Sequence, residues 1–284
     1  MILITGGTGN CGGEIVRQLA GTGTRFRMLV RDPKKAQANK PRSAELVVGD
    51  LAKPETLEAA LKGIDVALLL GAPTPDQLQQ ELNFVEAAER VGLPRIVKFS
   101  AMTASPQSPS RFPRVHGQIE ERIRKTKMAW TFLRPTFFSQ NLLGLADMIK
   151  QGTIYQPAGV GKSSPVDIRD IASAAVQTLL KPGHEGNAYD LTGSESIDYH
   201  EIAALFSKAL GRTISYQDIA PAAAQQAMQQ SGIARFHAEG INELMGQLRN
   251  GDYDKVSADV RTVTGRYPLP LQQFIEENLA AWGG

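Results

Sequence analysis

Gly7, Gly9 and Gly12 keep the spacing Gly-x-Gly-x-x-Gly directly after the apolar run Met1-Ile2-Leu3-Ile4 and directly before Glu14-Ile15-Val16-Arg17-Gln18-Leu19-Ala20. The first run has no polar partner on either side and reads as a strand buried on both faces; the second repeats its apolar residues at helical spacing. A strand, a glycine turn and a helix in that order form the context in which a chain binds a dinucleotide. Such glycines let the turn tighten, let the backbone approach a pyrophosphate and let the helix pack closely on the strand. The free amides of the helix start then meet phosphate charge. The candidate cofactor contacts here are Gly6, Thr8, Gly9, Asn10, Cys11 and Gly12.

The next residues able to do chemistry follow the second apolar run, Arg25 to Val30. A carboxylate about 20 positions beyond the glycines would accept from a ribose 2′-hydroxyl, whereas an arginine there suits a 2′-phosphate. Arg31 holds that place and Lys34 and Lys35 follow, which favours NADP over NAD; Asp32 would become the ribose ligand if the register moved by one residue. Asp50 and Leu51 end a third strand, Ala44 to Val48. Asp50 either hydrogen-bonds an adenine edge or caps the helix from Pro54 through Leu61. Gly71 and Ala72 end a fourth strand, Asp65 to Leu70, and are small enough for a ribose to approach. Ser100 ends a fifth, Arg95 to Phe99.

These elements alternate strand and helix with short loops, and a helix from Pro75 to Val91 places Leu78, Leu82, Val85 and Ala88 on one face. The fold class expected is therefore α/β, a Rossmann-type doubly wound parallel sheet with a smaller α+β C-terminal substrate lobe. Ligands lie outside the carboxyl ends of such strands, where Gly9, Arg31, Asp50, Gly71 and Ser100 all fall. The loop Thr103 to Arg111, rich in Ser and Pro, reads as mobile or substrate-facing, and a helix is expected from about Val115. A strand follows at Trp130 to Leu133, then a short strand and a capped helix between Ser164 and Ala172. The texture changes at Gly183, which sets expected domains at 1–182 and 183–284, with 135–164 contributing to the pocket. The second part carries a strand at Ala188 to Thr192, a helix at Tyr199 to Leu210, a strand at Thr213 to Tyr216, helical sequence over Pro221 to Leu248 and a last helix from Leu271 to Trp282.

The 284 residues carry a net charge of only +2, with basic and acidic residues interspersed. Nucleic acid as the main partner is not expected on that distribution, and no apolar run approaches a membrane span. The four histidines show no metal-ligand spacing, so no metal is expected. Cys11 is the single cysteine, which rules out an intrachain disulfide; it is either a small residue that fits the turn or a thiol activated by the helix start. The sequence starts with the residues of its first strand, so no leader peptide and a cytoplasmic protein are expected.

Taken along the whole chain, Thr5-Gly6-Gly7-Thr8-Gly9-Asn10-Cys11-Gly12, Val30-Arg31-Asp32-Pro33, Lys98-Phe99-Ser100-Ala101, His116-x-x-x-Glu120, Thr131-Phe132-Leu133-Arg134-Pro135-Thr136-Phe137-Phe138, Val166 to Ala172 and Thr264-Gly265-Arg266 resemble the NmrA-like family of atypical short-chain dehydrogenase/reductases. Within it the sequence looks most like the bacterial reductases of quinones, azo dyes and triphenylmethane dyes. The resemblance implies NADP(H), with NAD(H) the weaker option, and places Pro135, Phe137, Phe138 and Asn141 near the nicotinamide and the substrate pocket. Phe137 and Phe138 either stack a flat acceptor or pack in the core.

Short-chain dehydrogenases carry Tyr-x-x-x-Lys on the helix after the fifth strand, and that pattern lays Phe112 on the tyrosine and His116 on the lysine. Phe112 has no proton to give. His116 hydrogen-bonds the ribose, relays a proton or is a satisfied polar residue near a helix start; with Ser100 it is the candidate catalytic group. Glu120, one turn on, either orients His116 or pairs at the surface with Arg124. Without the tyrosine, an isolated carbonyl would lack a donor for its developing charge, whereas a conjugated acceptor delocalises the electrons. Two functions follow. The first is an NADPH-dependent reductase of a quinone-like or dye-like small molecule. The alternative is a non-catalytic NADP(H)-binding sensor acting through a protein partner, and a homodimer is compatible with either.

Overall fold

The computed structural model describes residues 1–37 and 40–284. In chain order its first part runs β1 (Ile2–Ile4), α1 (Asn10–Gly21), β2 (Phe26–Val30), α2 (Pro33–Gln37), β3 (Ala44–Val48), α3 (Leu57–Leu61), β4 (Val66–Leu69), α4 (Gln77–Arg90), β5 (Arg95–Phe99), α5 (Arg111–Arg124) and β6 (Ala129–Pro135). There follow α6 (Ala146–Lys150), β7 (Thr153–Gln156), α7 (Ile168–Leu180), β8 (Asn187–Leu191), α8 (Tyr199–Leu210), β9 (Ser215–Asp218), α9 (Pro221–Gln230), α10 (Arg235–Arg249), α11 (Asp259–Thr264) and α12 (Leu271–Glu277).

Among the described residues seven strands form one sheet in the order β3-β2-β1-β4-β5-β6-β8, and the registers from β3 across to β6 are parallel. This is the doubly wound arrangement expected, and its strand order reverses between β1 and β4. The strands are short and apolar because both faces are covered. Leu3, Leu29, Ala67, Leu69, Ile96 and Phe132 pack with Phe84, Val85 and Ile119 from α4 and α5. Ile4 and Met28 lie on the other face, close enough to α1 that a Cβ on Gly7 would lie 3.1 Å from Val16 and 3.0 Å from Met28.

The chain divides into two compact units, Met1–Ser108 with Pro113–Arg134 and Ile171–Tyr189, and Pro109–Phe112 with Pro135–Asp170 and Asp190–Gly284. This differs from a boundary at 182/183. The change of composition at Gly183 marks only the approach to β8, which joins the main sheet, and segment 135–170 already belongs to the second unit. That unit has its own core of Ile149, Ile154, Ile202, Phe206, Phe274 and Trp282. In it β7, which the sequence reading did not contain, pairs in parallel with β9. The helix at Tyr199–Leu210 falls where its pattern put it, because its ends are explicit: Asp198 and Glu201 form a capping box and Gly211 closes the last turn at φ 63°. The helical stretch after Pro221 is broken at Gly232, whose φ is 90°. The last helix stops at Glu277 and resumes as a 3₁₀ turn over Leu279–Trp282. Near residue 166 there is a single bridge, Phe138 to Val166, rather than a strand. After it Asp167 receives the Arg169 amide at 2.8 Å at the start of α7.

The Ser/Pro-rich loop is not loose. Ser105 donates its amide to Pro113 at 3.3 Å, Arg114 reaches the Ser108 carbonyl at 2.8 Å, and a Cβ on Gly117 would lie 2.2 Å from the Ser105 carbonyl carbon. Helix α5 starts at Arg111, earlier than the expected Val115, because Pro113 is tolerated in a first turn. The Arg111 amide at that start is capped by Glu243 at 2.7 Å, which local sequence cannot reveal.

Candidate functional site

The first unit builds the site at the carboxyl ends of its strands. Thr5, buried at the end of β1, joins β1 to β4 through its hydroxyl, which bonds the Leu70 carbonyl at 2.9 Å and accepts the Leu70 amide at 2.7 Å. The glycines then divide their work. Gly6 turns the chain at φ 65°, where an added Cβ would sit 2.6 Å from the Leu70 carbonyl oxygen, so the tight-turn role falls to Gly6 rather than Gly7. Gly12 is the close-packing glycine, with a Cβ position 2.1 Å from the Gly6 carbonyl oxygen. At Gly9 a Cβ would make only an ordinary 3.6 Å contact. Gly9 is also the N-cap of α1, and no side chain caps that helix start. Thr8 and Asn10 beside it are exposed, and Cys11 is half-buried.

At the end of β2 Arg31 and Asp32 differ in what they touch. Asp32 Oδ1 accepts the amides of Lys34 at 2.9 Å and Lys35 at 3.3 Å, capping α2. Arg31 and Lys35 are exposed cationic side chains at the same edge. The β3 end corrects a different expectation. Asp50 does not cap the helix near Pro54: its Oδ1 accepts from Ala52 at 3.0 Å in a local turn, and Lys53 precedes that helix without a side-chain cap. The Leu51 carbonyl is held from α4 by Asn83 at 2.9 Å.

Beyond β4, Gly71 lies directly on a carboxylate: a Cβ there would be 2.6 Å from Glu81 Oε1. Ala72 is exposed beside it. Glu81 comes from α4 and meets Lys98 of β5 at 2.7 Å, and both side chains are 0% exposed. Gln77 donates to Glu81 Oε1 at 2.9 Å, and Lys98 also donates to the Phe99 carbonyl. The sequence reading took Lys98 as a strand residue and Glu81 as a helix residue; no local signal joins them, because the partners are brought together only by packing α4 on β5.

Two residues on from Lys98, Ser100 donates to Glu120 Oε1 at 2.6 Å. Glu120 is buried, is clamped by Arg134, whose Nε lies 2.9 Å from Oε1, and has Arg124 at 3.3 Å from Oε2. Of the two expectations for Glu120, the pair with Arg124 forms, but with a buried carboxyl group and not at the surface; the groups that bond it besides are Ser100 and Arg134, and among the described residues no bond joins it to His116. His116 is half-buried, but its Nδ1 is fully enclosed and has no hydrogen-bond partner. Burial, helped by the Lys98 charge, holds the imidazole well below its ordinary pKa of 6.5. A depressed histidine pKa stabilises the fold above 6.5 and withdraws that stability as pH falls toward the native value. Unfolding free energy is therefore expected to fall by up to about 1.4 kcal/mol per pH unit below 6.5, and His116→Gln to remove that part of the slope in paired denaturant titrations. Parallel slopes for the two proteins would contradict the assignment.

The remaining expected residues lie in the second unit. Phe112 packs against α10, where a Cβ on Gly240 would sit 2.4 Å from its ring, and meets Phe236 edge to face at 5.8 Å. Pro135 is buried, Phe137 and Phe138 are half-buried and Asn141 is exposed. Phe137 meets the Tyr253 ring at 4.8 Å, a contact that makes it at least partly a packing residue. Among the described residues no group of three or more candidate ligands could hold a metal, and no helix is long and apolar enough to cross a membrane.

The chain is 40% identical to the NAD(P)H azoreductase of Xenophilus azovorans over 100% of its own length and 99% of that protein. The structure of an NADPH-dependent quinone oxidoreductase from Escherichia coli, complexed with NADPH, superposes with a TM-score of 0.92 at 26% identity, covering 98% of this chain and 100% of the other. Triphenylmethane reductase from Citrobacter sp., complexed with NADP(H), gives a TM-score of 0.88 at 26% identity, covering 97% and 99%. Residues 1–263 match the NmrA-like family, and with the parallel sheet, the glycine cradle and the β2 terminus in place, this chain belongs to that family.

Proposed function

We propose that the chain is an NADPH-dependent reductase that passes a hydride to a conjugated small molecule such as an azo dye, a quinone or a triphenylmethane dye. The observation that carries the reading is the end of β2, where Asp32 is occupied as a helix cap and Arg31 is left as the exposed charge for a 2′-phosphate. The fit to the dinucleotide rests on the cradle itself: at Gly6 and Gly12 a Cβ would block the turn, and no side chain caps the start of α1, where a helix attracts an anion. Whole-length similarity to an azoreductase supports reduction as the chemistry.

In this reading the turn from Gly6 to Gly12 holds the pyrophosphate, Arg31 and Lys35 neutralise the 2′-phosphate, and Asp50, Leu51, Gly71 and Ala72 border the adenosine and ribose. Bound NADPH supplies the hydride. The chain supplies position and a dry edge, with Ser100 and His116 at the reacting end. The neutral His116 ring offers a proton on Nε2, since a bare Nδ1 is tolerated near the Lys98 cation better than an unpaired N–H would be. Phe112 offers no proton, so the acceptor must spread its own developing charge.

Steady-state turnover with NADPH or NADH and a panel of azo dyes and quinones tests the reading. Turnover with NADPH is expected. Arg31→Ala is expected to raise the KM for NADPH about 10- to 100-fold, as for loss of one or two charge-assisted hydrogen bonds, with little change for NADH. Nucleotide binding without turnover of any acceptor would sink the reductase reading and leave the redox sensor.

A further inference from the structure

The Ser100–Glu120 contact settles which way a proton points. Glu120 is buried, the Arg134 guanidinium donates to both of its oxygens and Arg124 lies at 3.3 Å, so both oxygens act as acceptors here. The 2.6 Å bond from Ser100 Oγ therefore takes the serine proton. What remains on Ser100 is lone pairs. A serine in this state cannot protonate an acceptor or donate to a developing oxyanion. It can only receive a hydrogen bond from a ligand that carries N–H or O–H.

We infer that Glu120 is a positioning residue that fixes Ser100 as a hydrogen-bond acceptor, and that the ligand group Ser100 recognises is a primary amide N–H, the carboxamide of the nicotinamide. The inference rests on the NADP(H) reading given above. It removes Ser100 from the proton-donating role and assigns it to cofactor recognition. It also gives Arg134 and Arg124 a purpose beyond packing, since the guanidinium partners hold both Glu120 oxygens as acceptors and so keep the Ser100 proton turned inward.

The discriminating probe is the 3-acetylpyridine analogue of NADP, in which a methyl ketone replaces the carboxamide: it keeps the carbonyl acceptor and loses both N–H donors. Equilibrium binding of NADP and of the analogue is measured by titration calorimetry on the full chain, with no turnover required. The wild type is expected to bind NADP about 10-fold more tightly than the analogue, the effect of one hydrogen bond with its acceptor left stranded. Ser100→Ala is expected to bring the two affinities to within about twofold, chiefly by weakening NADP. Glu120→Gln, which can turn an amide N–H toward Ser100 and release the serine proton, is expected to narrow the preference as well. Ser100→Thr, which keeps the hydroxyl, is expected to keep the preference, and this rescue separates hydroxyl recognition from a merely structural role. Equal wild-type affinities, or a preference that persists in Ser100→Ala, would overturn the inference while leaving NADP binding intact. Failure of the wild type to bind either nucleotide would overturn the NADP(H) reading and the inference with it.

Discussion

Lys98→Met is expected to destabilise the protein by about 3–5 kcal/mol, because it leaves the Glu81 carboxylate buried without its counter-ion. The cost does not measure the strength of the ion pair. Removing two charges from water offsets most of their attraction, and an intact buried pair is a weak stabiliser; breaking one side strands the other. The double variant Lys98→Met/Glu81→Gln is therefore expected to recover at least about 2 kcal/mol of the loss, since the new amide can still accept from Gln77 and carries no charge. Chemical denaturation of the three proteins tests this. Equal instability of the single and double variants would mean that the loss comes from the methionine shape and not from the stranded charge.

Gly12→Ala and Gly9→Ala make the other informative contrast. At Gly12 the new methyl would meet the Gly6 carbonyl oxygen at 2.1 Å, and backbone cannot rotate away as a side chain can. Helix α1 must move off the turn, for which about 3 kcal/mol is expected. Loss of two amide contacts to phosphate would weaken NADPH binding by roughly 100-fold. Gly9→Ala meets nothing closer than 3.6 Å, so its thermal midpoint should be near that of the wild type. Any loss of NADPH affinity there then reports the approach of the ligand alone. A Gly9 variant that unfolds, or a Gly12 variant that binds NADPH normally, would contradict this division of roles.

Much of this was legible before the coordinates. Ile2–Ile4, the glycines and α1 announce themselves because strand, turn and helix are contiguous in sequence, and the repeated βα pattern dictates a parallel sheet. The helix at Tyr199–Leu210 is legible for the same reason, since both of its caps are local. What escaped was whatever depends on partners far apart in the chain. Glu81 and Lys98 are separated by a helix and a loop. Glu120 reaches Ser100 only because α5 lies along β5, and Arg111 is capped by a residue of α10. The short β7 has too few residues to show a period, and three elements, α7, β8 and α8, separate it from its partner β9. The Ser/Pro loop misled for a related reason: its composition is that of a flexible segment, and the contact that pins it is made by the absence of a side chain at Gly117.

The Asp32 cap also bears on how cofactor preference can change over evolutionary time. Residue 32 is already the carboxylate that an NAD-preferring relative would need near this place, yet its oxygen is engaged by the start of α2. If Arg31 holds the 2′-phosphate as proposed, losing it alone would discard one nucleotide without gaining the other. A lineage moving between the two would have to shift the start of a five-residue helix as well as exchange a charge, so the preference and the helix are inherited together.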